Sequence, residues 1–208
     1  MPENFWIFAL TALVLNLTPG NDMLFVMARS SLQGSKAGMI SSLGIMAGCM
    51  VHMVAAVAGL SAIIAKSAFA FSVIKYIGAA YLIYLGIQSV LSKSKGLSFS
   101  SSVQEVSYQK IFWQAVFTNV LNPKVALFFL AFLPQFINTK SGNTTAQILF
   151  LGLWFNMGGT LVNIIVAVLF GKIGYWMNRS PGFAEWQKRI TGGILIALGM
   201  KVALSSRK

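Results

Sequence analysis

Acidic charge is what this chain most lacks. Its 208 residues hold 4 Asp and Glu against 16 Lys and Arg, and charged residues of both signs make up 10%. Soluble domains carry about 25%. So few charges cannot keep a globule of this size in water, which excludes an ordinary soluble domain. Cysteine is scarcer still. The single Cys49 excludes a disulfide framework and a Cys-pair redox relay, and its apolar surroundings suit a small inert hydrophobe. There is one histidine, His52. One Cys, one His and one acid within an apolar run are too few ligands for a dedicated metal site. No Gly-x-x-x-x-Gly-Lys-Ser/Thr run occurs, so direct coupling to nucleotide hydrolysis is not expected. Neither is any metal or other cofactor.

What the chain has is apolar length. Hydrophobic residues make up 56%, and runs longer than about 18 residues recur, the transmembrane signature. The net charge of +12 raises nucleic acid as a partner. However, the basic residues sit at the ends of apolar runs rather than in a stripe, so a lipid bilayer is the expected partner and nucleic acid is not. The start, Met1-Pro2-Glu3-Asn4, has no basic n-region and no small-x-small cleavage site follows. The first segment therefore reads as a retained span, not a signal peptide.

Six spans are expected: about 5–27, 39–65, 69–91, 111–137, 146–170 and 190–204. A serine-rich polar linker, 92–109, separates a first three-helix unit, 1–91, from a second, 110–208. The units echo each other. Leu17-x-Pro19-x-x-x-Met23-Leu24-Phe25 matches Leu121-x-Pro123-x-x-x-Leu127-Phe128-Phe129. A three-span unit used twice enters the bilayer in opposite directions. The expected fold is thus an all-α integral membrane protein of six transmembrane helices, arranged as two inverted three-helix repeats with helices 1 and 4 broken at prolines. Many secondary transporters share this architecture, with a site at the repeat interface. Lys and Arg collect in cytoplasmic loops. Loops after spans one, three and five hold nine: Arg29, Lys36, Lys93, Lys95, Lys110, Lys172, Arg179, Lys188 and Arg189. The other side holds four: Lys66, Lys140, Arg207 and Lys208. Both termini are therefore expected outside the cytoplasm, in a plasma (inner) membrane.

Proline breaks a helix, and in hydrocarbon a freed backbone group is tolerated only inside protein or beside a water-filled cavity. Thr18-Pro19-Gly20-Asn21-Asp22 and Asn122-Pro123-Lys124 each place such a break mid-span, next to a full charge. Thr18 and Asn122 read as N-caps, with proline at the first helical position. Each break would then start a second half-helix whose N–H groups suit an anion such as a carboxylate. Asp22 is the only acid inside any span. It could hold a substrate ammonium or carry a coupled proton, or it could simply answer the helix dipole. Lys124 sits in a first turn, where the dipole disfavours a cation, so a substrate carboxylate or a pair with Asp22 would offset that cost. His52 reads equally as a proton relay or a helix–helix hydrogen bond. Asn156 and Asn163 share a face of span five and could line the cavity or join helices. Gly34-x-x-x-Gly38 and Gly44-x-x-x-Gly48 read first as close packing and second as a homodimer face.

Those motifs, with Asn119-Val120-Leu121 before the second break and Tyr81-Leu82-Ile83-Tyr84-Leu85-Gly86 in span three, resemble the LysE/RhtB family of amino-acid exporters. The family pattern at the first break is usually Pro-Gly-Pro; here Asn21 holds the third position. The resemblance implies proton-driven efflux of amino acids or their derivatives, such as homoserine, threonine, leucine or basic amino acids. The expected substrate site is Thr18, Pro19, Gly20, Asn21, Asp22, Asn119, Asn122, Pro123, Lys124 and Asn156, with Asp22 and His52 in proton coupling. An exporter of another small solute or cation, an intramembrane enzyme and a non-transporting scaffold are the alternatives. The enzyme has only Asp22 and His52 as acid–base groups and no nucleophile motif.

Overall fold

A computed structural model describes residues 4–60, 106–138 and 143–177, with single positions between 73 and 91 and between 189 and 203. Predicted spans three and six, most of the linker and the end of span two therefore lie outside the described residues, apart from those positions.

The described chain is helical throughout. Helix α1 (Phe5–Leu17) ends at Thr18. After the Pro19-Gly20 gap, α2 (Asn21–Ala55) runs on into a π-helical turn at Ala56–Leu60. Helix α3 (Tyr108–Val120) starts at a serine cap, Ser107. Helix α4 (Pro123–Leu127) continues as a π-helical turn (Phe128–Phe132) and a 3-10 turn (Leu133–Phe136). The last, α5, spans Thr144–Met177. Its start is fixed by Asn143, whose Oδ1 accepts from Ala146 N at 3.1 Å.

The long α2 is not one crossing. Residues 21–59 would reach well beyond the ~30 Å of a hydrocarbon core at ~1.5 Å per residue. Gly34 is non-helical, with φ 80° and ψ 172°, a conformation that L side chains resist. The chain folds back there: Ser30 Oγ fills the space where a Cβ on Gly38 would stand. In a straight helix those two residues would lie about 12 Å apart. The loop expected at Arg29, Gln33 and Lys36 is thus a one-residue turn inside helix. Among the described residues, 21–59 and 144–172 are long and apolar enough to cross a membrane. Tyr108–Val120 and Pro123–Phe136 form a bent pair, at 46°, that qualifies together.

Small residues set the packing. The Cβ positions of Gly44 and Gly48 are occupied by Phe112 O, Ala115 Cβ, Val116 O and Asn119 Cβ of α3. Gly38 meets Ala167, and Gly171 meets Ser35, where α5 runs antiparallel to the second half of α2. These glycines serve packing within the chain. The Gly44/Gly48 face is covered by α3, so it is not open to a second copy. Three buried hydroxyls are satisfied within their own helices, as an apolar surround favours: Ser30, Ser41 and Ser42 donate to the carbonyls four residues back, whereas the buried Ser31 hydroxyl has no partner. At one end of the bundle, Phe8, Phe128, Phe129, Phe132, Phe136 and Phe155 form an aromatic core, with Phe128 and Phe155 stacked at 3.8 Å. Outward faces are apolar. Trp6, Leu10, Phe117, Leu121 and Leu161 are exposed, as lipid contact allows.

Candidate functional site

Both prolines break their spans, and the breaks meet. Lys124 Nζ donates to Thr18 O at 2.9 Å. A helix leaves its last carbonyls unpaired, with partial negative charge, so the end of α1 supplies the offset that a cation in the first turn of α4 requires. Asp22 and Lys124 attract each other electrostatically but form no ion pair. Asp22 Oδ2 instead accepts from Asn119 Nδ2 at 2.8 Å, while Asp22 Oδ1 is buried without a well-formed hydrogen bond, with the Asn122 side chain beside the carboxylate.

The two breaks are capped differently. At the second, Asn122 Oδ1 accepts from Lys124 N at 3.0 Å, with Pro123 in the first turn. This is the expected N-cap. At the first, the expectation fails. Thr18 is the C-cap of α1, its hydroxyl donates to Val14 O at 2.7 Å, and Gly20 is the N-cap of α2 with no side-chain bond. The hydroxyl reaches the preceding turn more readily than the following helix, from which the Pro19-Gly20 gap separates it.

Between the breaks lies a cavity of about 40 Å³. A water needs roughly 10–15 Å³ on the same measure, so it holds a few waters and is too small for an amino acid. Of the ten expected substrate residues, seven line it: Thr18, Gly20, Asp22, Asn119, Asn122, Lys124 and Asn156. Pro19, Asn21 and Pro123 do not; Asn21 and Pro123 are exposed on the outer side of the breaks. Asn163 also lines the cavity. Asn156 joins helices as well, donating to Met46 O at 3.2 Å. His52 is absent from the lining. Its Nε2 lies 3.0 Å from Asn119 O, and because a carbonyl only accepts, Nε2 carries the hydrogen. The imidazole is thus joined to Asp22 only through Asn119.

Sequence reasoning missed Asn16, Thr160, Gly159 and Met23 in the lining. Asn16 donates to Phe155 O at 3.1 Å. Its Oδ1 would lie 2.9 Å from a Cβ on Gly159, so that glycine makes room for it. An asparagine two residues before Thr18 in an apolar run was the available signal.

Apolar outer faces around an enclosed polar cavity that holds one carboxylate and one cation mark an integral membrane protein. The chain belongs to the LysE type translocator family: residues 13–206 match that family's model. By family it is a translocator. It is 36% identical over 203 residues to the uncharacterized membrane protein YrhP of Bacillus subtilis (strain 168), covering 93% of this chain and 95% of that one. An uncharacterized membrane protein of Vibrio cholerae is 31% identical over 210 residues, with 98% of both chains covered. The homoserine/homoserine lactone efflux protein of Salmonella typhimurium is 31% identical over 200 residues, covering 95% of this chain and 96% of that one. No solved structure matches.

Proposed function

We propose that this chain is a secondary active exporter of amino acids or their derivatives from the cytoplasm, coupled to protons. The observation that carries the reading is the buried Asp22 Oδ1, without a well-formed hydrogen bond, in a cavity whose other charge is Lys124. A buried carboxylate oxygen short of a hydrogen bond costs free energy. A substrate ammonium satisfies it; so does a proton. The two cannot occupy it together, and that exclusion couples solute to proton as antiport.

Lys124 offers the complementary pole. Its bond to a backbone carbonyl is one a substrate oxygen can replace. The names of the Salmonella relative's substrates sharpen this. Homoserine has a free carboxylate and its lactone does not, yet both carry an amino group and a carbonyl oxygen. Asp22 would read the shared ammonium, and Lys124 an oxygen of either form. The small cavity belongs to a closed state, which must widen to load. His52, hydrogen-bonded to Asn119 O, is placed to adjust the Asp22–Asn119 contact as protons move.

The six-span inverted repeat, the plasma membrane and the extracytoplasmic termini belong to the same proposal. Partial symmetry supports the repeat, and the Lys/Arg distribution between the loops supports the orientation. The helices before the breaks, α1 and α3, each have 13 residues. The half of α2 before Gly34 runs antiparallel to α3, with Asp22 opposite Asn119 and Arg29 opposite Gln114. Efflux from homoserine-loaded cells tests the reading: Lys124→Met should cut it severely and Asp22→Asn more moderately while the protein still inserts. Wild-type efflux by both variants would remove the mechanism.

A further inference from the structure

A second depression lies on the outside of the molecule. It is an open groove of about 510 Å³ between α3 and the first half of α2, lined by Asn21, Phe25, Arg29, Gln114, Phe117, Thr118 and Leu121. Its two ends differ in chemistry. The end at the helix breaks is greasy: Phe117 is 61% exposed and Leu121 77%. The other end holds a cation. Arg29 lies over the Phe25 ring at 5.5 Å and donates only to neutral oxygens, Gln114 Oε1 at 2.8 Å and Gln33 Oε1 at 3.3 Å. No acidic side chain among the described residues pairs with it. A guanidinium has five N–H donors in a fork that matches phosphate.

Depth follows from two independent features. Asn21 and Arg29 are eight residues apart along one helix, about 12 Å. If the break lies near the bilayer centre, that carries Arg29 to the edge of a ~15 Å half-core. Trp113, 53% exposed, precedes Gln114 on α3, and Tyr108 one turn further out is exposed with Lys36 over its ring at 5.0 Å. Aromatic and basic residues of this kind mark the headgroup level. The groove thus runs from headgroup phosphates down to the bilayer centre, with the cation at the phosphate end.

We infer that this groove is a binding site for an anionic phospholipid, its phosphate on Arg29 and one acyl chain laid over Phe25, Phe117 and Leu121. Charge complementarity favours an anionic lipid, and the apolar length favours a lipid over a free phosphate. The site is separate from the cavity but shares a wall with it. Asn21, Thr118 and Leu121 face the groove, while their neighbours Asp22, Asn119 and Asn122 face the cavity. A bound lipid would therefore brace the seam that the Asp22–Asn119 bond closes.

The test uses the purified full chain in phosphatidylcholine micelles with and without phosphatidylglycerol, read by melting temperature and by native mass spectrometry. Phosphatidylglycerol should raise the wild-type melting temperature by about 5 °C and remain as a discrete adduct. Arg29→Gln should lose both effects, Arg29→Lys should keep part of them, and Phe117→Ser on the exposed lip should shorten adduct retention without touching the core. Inorganic phosphate alone should produce no shift. Equal response to the two lipids, an unchanged phosphatidylglycerol effect in Arg29→Gln, or the same shift from phosphate alone would overturn the inference.

Discussion

At the second break, Asn122 turns forward and caps the helix that follows. At the first, Thr18 turns back and closes the helix that precedes it. Both breaks are a small polar residue followed by proline, yet one side chain serves the donors of the helix that follows and the other an acceptor of the helix that precedes. An amide carbonyl accepts, so Asn122 suits the free N–H groups of a helix start. A hydroxyl also donates, so Thr18 can serve the last carbonyls of a helix. The Thr18 carbonyl is then left facing Lys124, and the first break becomes the negative pole of the site and the second the positive one. Two similar motifs make a dipolar site because one brings Asp22 and the Thr18 carbonyl and the other brings Lys124.

Removing the positive pole should have the largest effect. Lys124→Met deletes the bond that ties the breaks together, and charge-assisted contacts of about 3 kcal/mol predict an efflux loss of about 100-fold. A small loss would mean that the Lys124 bond does not hold the two breaks in working order. Removing the negative pole should act differently. In wild type, lowering pH puts a proton on Asp22 and excludes the ammonium, so solute exchange should slow as pH falls. Asp22→Asn cannot take that proton. Its exchange should be about tenfold weaker and flat with pH, measured in reconstituted vesicles.

Next comes the frame that brings the poles together. Gly44→Ala would drive a methyl into Phe112 O, a backbone atom that cannot swing aside. α2 and α3 would be forced apart at a cost of about 1–3 kcal/mol, read as a lower melting temperature in detergent. The smallest effects separate the caps themselves. Asn122→Ala should cost about 1 kcal/mol. Thr18→Val removes no cap from a following helix and should cost only a few tenths. Equal losses at the two positions would erase the distinction.

Much of this was legible in the residues. Proline in an apolar run announces a break wherever it occurs, and Asp22 and Lys124 stand out because charge is rare there. What proline does not announce is which helix the residue before it serves, since a threonine hydroxyl can donate to the carbonyls before it or accept from the N–H groups after it. The fold-back at Gly34 was hidden for a related reason. A single glycine with positive φ can replace a loop, so the polar residues on either side, Arg29, Gln33 and Lys36, looked like loop when they are helix. Asn16 escaped notice because its partner, the carbonyl of Phe155, lies 139 positions away. The π-helical turn at Phe128–Phe132 has no proline or glycine within it to signal it.

The decisive measurement is the pH profile of homoserine exchange in vesicles holding wild type or Asp22→Asn. The account predicts a wild-type rate that falls with acidification and a variant rate that is lower and level. A variant that keeps the wild-type rate and the wild-type slope would show that neither ammonium nor proton meets at Asp22.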